Sequence, residues 1–334
     1  MDNLGELLNQ RSVNRRNFLT GLGATTAAAA LAGCGNNNSL ATSTQVGATT
    51  YQDSDYLNFA LNLEYLEAEF YLHAATGSGL ATADAGTNPG TVTGGAQVTG
   101  LTAAQQDILN EIAYDEQQHV RFLRSALGSA AVSRPAIDLT NSFNALAFAA
   151  GITTSASSTF NPFGSFDAFI VGAFIFEDVG VTAYAGAAPL ISAAGIASGY
   201  LTAAAGIMGV EAYHAAYVRT YLTSQAIASS SYAYLGYANK VSALRANLGG
   251  GNETILTVPT GTVPFTASTI AAPSSIVAAT TANAIAYART TDQVLHIVYG
   301  SLSNTAGATA SAAGVAKGAF FPSGLNGNIT VTQS

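Results

Sequence analysis

The chain has 334 residues, 49% of them hydrophobic, enough apolar side chain to bury a large core and to exclude a wholly disordered polypeptide. Only 9% are charged, 11 basic against 19 acidic, and no basic cluster follows the N-terminal segment, so a nucleic-acid partner is not expected. A single cysteine excludes an intrachain disulfide.

Residues 12–19 read Ser-Val-Asn-Arg-Arg-Asn-Phe-Leu, and an Ala- and Gly-rich run continues to Gly33. Arg15 and Arg16 ahead of such a run resemble a twin-arginine export signal. The run from Phe18 to Gly33 falls short of the ~20 apolar residues that span a bilayer, so a permanent transmembrane helix is the weaker reading. It ends Leu31-Ala32-Gly33-Cys34, which is similar to a bacterial lipoprotein box, where cleavage ahead of the cysteine leaves it lipid-modified. A buried or incidental thiol is the alternative. The resemblance implies a signal at 1–33, a lipidated Cys34, and a periplasmic protein that meets the membrane only through its lipid. Removal of 1–33 takes away three Arg and two acids, leaving 8 basic against 17 acidic residues. As that route implies, such proteins cross already folded and often with a cofactor inserted.

Residues 35–52 are small and polar and read as a flexible tether. Capping candidates from Asp53 and apolar residues at helical spacing predict a first helix over 53–74. Residues 76–100 are rich in Gly and Thr, and Leu101-Thr102 opens a second helix running to about Leu127. Gly128 to Pro162, with Pro135 and an apolar patch at 145–150, is long enough to cross a bundle lengthwise. A third helix is expected from about Ser165 to Ala187, stopped by Pro189, and a fourth from Ala193 or Tyr200 to Leu222. Weaker helical stretches follow at Tyr232–Leu248 and Ser275–Leu302. The expectation is an all-α chain, with a four-helix bundle over 53–225, one long crossover between its second and third helices, and a partly helical C-terminal extension over 226–334 packed on the bundle.

The second helix contains Glu116-Gln-Gln-His119 and the fourth Glu211-Ala-Tyr-His214. Positions three apart share a helix face, so each pair can aim a carboxylate and an imidazole at one point. The chain has four histidines, and two of them fall in this pattern. Between Ala168 and Val210 the only charged residues are Glu177 and Asp178, and Glu177 shares its face with Ile170, Ala173 and Phe174. A carboxylate on an apolar face must be protonated, paired or metal-bound, and that helix has no Lys or Arg. Asp178 is expected at its solvent edge. The first helix offers Glu64, Glu67 and Glu69, with Tyr71 seven residues after Glu64.

Here the chain resembles the ferritin-like proteins, since ferritins, bacterioferritins and rubrerythrins place a ligand Glu in the first helix and a tyrosine seven residues later. One Glu each from the first and third helices plus Glu-x-x-His from the second and fourth is similar to the ligand set of di-iron and di-manganese carboxylate proteins. The resemblance implies Glu64, Glu116, His119, Glu177, Glu211 and His214 as ligands of two metal ions, with Glu116 and Glu211 as bridges. Glu67 either replaces or supplements Glu64. Asp115, four residues before His119, either holds that imidazole or lies beside it on the surface, and Tyr71 is a hydrogen-bond donor to a ligand, a one-electron donor or a core residue. Tyr213 stands out by position alone, and His73 and His296, with no Glu three residues before them, are left out.

The tail Phe320-Phe321-Pro322-Ser-Gly324-Leu-Asn326-Gly327 is similar to one found in bacterial relatives of plant desiccation-associated proteins, with no chemistry attached to it. Iron, ahead of manganese, is the expected metal, although Glu and His serve both, and oxygen or peroxide is the expected reactant. Fe(II) oxidation or peroxide removal, manganese-catalase-like turnover, and structural stress protection with little catalysis are the readings this leaves. The lone Cys34 excludes a rubredoxin module. The tether, the 76–100 loop and the extension would crowd a storage shell, while a smaller homo-oligomer remains compatible.

Overall fold

A computed structural model describes residues 51–258, 284–300 and 314–332; the readings at Arg15, Arg16 and Cys34 fall outside this range. Helix α1 spans Asp53–Thr76, entered through a bond from the Gln52 N–H to Asp55 and closed by Gly77 in the left-handed region (φ +79°). Helix α2 spans Ala103–Leu127. Thr102 and Gln105 cap it reciprocally, each side chain accepting from the other's backbone N–H at 3.2 and 2.9 Å.

The apolar patch of the crossover is a helix, α3 at Asn141–Ala149, whose entry is held by the N–H groups of Thr140 and Asn141 donating to Asp138. Asp138 belongs to β2 (Ile137–Asp138), which pairs in parallel with β1 (Val92–Thr93) and so fastens the crossover to the α1–α2 loop.

Helix α4 spans Phe166–Ala187, capped by Ser165, and helix α5 spans Tyr200–Ala228, six residues beyond the expected Leu222. The turn of helix at Ala193–Ala197 is separate from α5. Helix α6 spans Tyr234–Leu248. Helix α7 spans Thr291–Tyr299, shorter than expected, because Thr290 caps it and residues 284–290 are not helical; positions 275–283 and 301–302 lie outside the described residues.

Helices α1 and α2 run antiparallel: Val132, beyond α2, bonds Asn58 near the start of α1, and Val98, before α2, bonds Ala74 near its end. Antiparallel pairing also holds α5 on α4, where Tyr221 donates to Asp167 and His214 lies beside Glu177. Helix α4 is long and apolar enough to cross a membrane, yet 89% of that stretch is buried within the protein. It is apolar all round because α1, α5, α6 and α7 surround it. Phe70 of α1 anchors the core, stacked on Phe169 at 4.8 Å and edge-on to Phe176 at 5.2 Å.

Asp178 does not mark a solvent edge. It is buried and accepts from Arg219 of α5 and Arg245 of α6, each at 2.7 Å. Its partners come from other helices, which the helical wheel of α4 cannot reveal.

The C-terminal tail is structural. Phe320 and Phe321 are fully buried, with Phe320 edge-on to Phe176 at 4.9 Å. Asn326 exchanges two hydrogen bonds with Asn62 of α1, and Asn328 donates to Asp55. Replacing Phe320 by Ala removes the aromatic lock between tail and core, with an expected loss of about 3–5 kcal/mol read from urea unfolding.

Candidate metal centre

Four helices each deliver one side of a buried cluster at mid-bundle. The Nδ1 atom of His119 lies 3.2 Å from Glu64 Oε2, 3.4 Å from Glu211 Oε1 and 3.5 Å from Glu116 Oε2. The Nδ1 atom of His214 lies 3.1 Å from Glu116 Oε1 and 3.5 Å from Glu177 Oε2. Two groups able to hold a metal ion result: Glu64, Glu116, His119 and Glu211 in one, Glu116, Glu177 and His214 in the other. Glu116 faces both imidazoles, Oε2 toward His119 and Oε1 toward His214.

The cluster has an internal two-fold pattern that relates α1 and α2 to α4 and α5. Glu64 and Tyr71 are seven apart, as are Glu177 and Tyr184, and the hydrogen bonds cross. Tyr71 donates to Glu177 Oε1 and Tyr184 to Glu64 Oε1. Each outer carboxylate therefore has one oxygen held by a tyrosine and the other turned toward an imidazole. Sequence reasoning missed Tyr184, although its spacing from Glu177 repeats that of Tyr71 from Glu64. Tyr213 is exposed and takes no part.

Both oxygens of Glu116 and of Glu211, Oε2 of Glu177 and Nδ1 of His214 are buried without a hydrogen-bond partner. These atoms face one another at 3–4 Å but lack hydrogen-bond geometry, as lone pairs aimed at a common point would. Electrostatics agree with that geometry. Burial raises the Glu64 and Glu177 carboxyls, and burial with surrounding carboxylates drives Glu67 and Glu211 well above the usual range. Burial also acts to raise Glu116, but the imidazoles of His119 and His214 close beside it outweigh burial and hold that carboxyl down at about 2. For the imidazoles burial is overcome by the carboxylates, Glu64 foremost at His119 and Glu177 at His214, so both are pushed far up. Cations in place of these protons would give partners to both Glu116 oxygens, to one Glu211 oxygen, to Glu177 Oε2 and to His214 Nδ1, and the donor set, four carboxylates and two imidazoles, suits Fe or Mn.

Asp115 does not hold the His119 imidazole that its spacing suggested; it is a partly exposed side chain that meets His214 on the facing helix instead, a partner that spacing along α2 cannot reveal. Its Oδ2 lies 3.2 Å from His214 Nε2, which leaves Nδ1 aimed at the cluster. The corresponding position on α5 is Val210, so His119 has no such carboxylate. Glu67 is buried one turn from Glu64 but belongs to neither group. Its counterpart on α4 is Gly180, where a methyl group would collide with the Glu211 carboxylate. Gly180→Ala is expected to displace Glu211 and weaken metal binding about 10–100-fold with the helical circular dichroism unchanged, as a competitive chelator titration would read.

His73 stays outside the cluster and sits against the Glu69 carbonyl at 2.7 Å. His296 is buried on α7, also outside both groups.

Comparison with known proteins agrees with this architecture. Residues 12–32 match the twin-arginine translocation pathway signal sequence. The chain is 28% identical over 286 residues to the ferritin-like catalase Nec2 of Nesocodon mauritianus, covering 83% of this chain and 84% of that protein. It is 30% identical over 205 residues to the desiccation-related protein PCC13-62 of Craterostigma plantagineum, covering 59% of this chain and 62% of that protein. The ferritin-like domain family matches residues 52–224, more than half of the chain and the whole span that carries the six clustered residues, and the protein belongs to that family.

Proposed function

We propose that this exported protein holds two metal ions, Fe or Mn, between Glu64, Glu116, His119, Glu177, Glu211 and His214, and uses them to remove hydrogen peroxide. The observation that carries the reading is Glu116, one carboxylate offering an oxygen to each of two buried donor groups. The match to a protein named as a ferritin-like catalase supports peroxide as the reactant. When bound, the metal pair supplies storage for two electrons between two half-reactions. One peroxide loses two electrons and two protons and becomes dioxygen; a second takes them up and becomes two waters.

The chain's own part is positional. Tyr71 and Tyr184 fix the outer carboxylates, Asp115 fixes the His214 ring, and Gly180 makes room for Glu211. In the same reading Cys34 carries the lipid and the bundle stands on a short tether at the periplasmic face of a membrane.

Metal analysis of the natively exported protein is expected to find about two Fe or Mn per chain, and an oxygen electrode is expected to record oxygen release on peroxide addition. A correctly folded protein free of both metals would favour the stress-protective reading, to which the desiccation-related relative also points. Fe(II) oxidation is the second reading, favoured by two buried tyrosines bonded to candidate ligands and so placed to give single electrons. It predicts oxygen uptake with Fe(II) and no oxygen release from peroxide.

A further inference from the structure

Two cavities adjoin beside the centre, and Asp115 lines neither. The inner one, about 310 Å³ of empty space between α1, α4 and α7, is bounded by Glu67 and Gly180 at the metal end and by Val179, Ile175, Ile297 and Phe320 further out. The outer one, about 420 Å³ between α3, α4, α6 and α7, begins at the same Ile175 and Ile297 and continues past Val171, Leu244 and Leu248. Those two isoleucines are all that the two linings have in common.

We propose that the cavities form one apolar passage through which dioxygen moves between the metal centre and the outside of the bundle, with Ile175 and Ile297 as its constriction. The proposal rests on the peroxide reading, in which dioxygen is the product.

The lining decides which molecule passes. Glu67 is the one polar side chain of the inner cavity and Arg245 the one of the outer, and Arg245 is engaged by Asp178, Glu253 and the Phe174 carbonyl. Water or peroxide entering such a space gives up hydrogen bonds it cannot replace, whereas dioxygen gives up none. The open core of the outer cavity has room for about one molecule of water size and that of the inner one for no more than one, which excludes lipids and organic substrates.

The passage also follows from the broken two-fold pattern. Where α1 presents Glu67, α4 presents Gly180, whose missing side chain is replaced by the Glu211 carboxylate, so no side chain from this position stands between Glu211 and the inner cavity that Gly180 lines. The polar reactant then has a separate approach, where Asp115 is partly exposed beside His214 and lines neither cavity.

Xenon, an apolar probe of similar size, tests the passage without turnover. Crystals of the exported protein pressurised with xenon, with metal and after chelation, are expected to show a xenon atom in each cavity. No xenon in the inner cavity would overturn the proposal. Ile297→Trp is expected to abolish the inner xenon site, keep the metal content of the parent and slow oxygen release from peroxide several-fold. Parent-like oxygen release from a variant whose inner site no longer takes xenon would also overturn it. Should the tryptophan disturb folding, Ile297→Phe carries the same expectations. Xenon in both cavities of a metal-loaded protein that releases no oxygen from peroxide would support the gas sites while overturning the peroxide reading.

Discussion

Replacing Glu116 by Gln is expected to empty both halves of the centre at once. The substitution keeps side-chain volume and leaves α2 intact, but puts an uncharged amide where a carboxylate faces His119 with one oxygen and His214 with the other. An amide has one acceptor oxygen, so at least one half loses a donor, and the centre loses a charge that both cations need. Metal content should fall from about two ions per chain to below one. A second readout needs no turnover. A ligand that binds only the folded state raises stability by about 2.7 kcal/mol when its free concentration is about 100 times its Kd, so the parent's melting temperature should climb with added metal and the variant's should not. Glu111→Gln, an exposed substitution on the same helix, should behave as the parent in both assays.

How much of this was legible beforehand follows from the range of the interactions involved. Thr102 and Gln105, Ser165, and Pro189 after α4 mark helix ends through contacts within four residues, so the second and third helices were readable almost to the residue. The two Glu-x-x-His pairs were readable for the same reason, since spacing along one helix fixes which side chains share a face. Asp178 was not, because its face is decided by Arg219 and Arg245, 41 and 67 residues away. The role of the tail was equally hidden, with Asn326 meeting Asn62 across 264 residues. Tyr184 is the instructive omission. Its seven-residue spacing from Glu177 was visible, but in a helix apolar on every side nothing local separates a tyrosine aimed at Glu64 from one filling space.

Adjacent residues of α4 should give opposite results when each loses its charge. Asp178→Ala is expected to cost about 3–5 kcal/mol, the usual consequence of removing one partner from a buried ion pair. The loss takes a carboxylate from both Arg219 and Arg245, leaving Glu253 with Arg245 and Arg289, and Arg245 is held by more than charge. It lies 4.5 Å over the Phe174 ring and donates to the Phe174 carbonyl, so it cannot swing out to water without breaking α4 packing. That cost is a large share of the ~5–15 kcal/mol that holds an ordinary domain together. Glu177→Gln should behave in the reverse way. Burial already raises the Glu177 carboxyl, so a neutral side chain of the same shape suits its surroundings, and the amide oxygen can still accept from Tyr71. Urea unfolding in excess chelator should therefore find Glu177→Gln close to the parent and Asp178→Ala far below it. Metal analysis of the folded fraction should find the opposite order, with Asp178→Ala loaded and Glu177→Gln depleted. A Glu177→Gln variant that keeps its full metal content would remove Glu177 from the centre, while an Asp178→Ala variant as stable as the parent would deny the arginine network its part in holding α5 and α6 to the bundle.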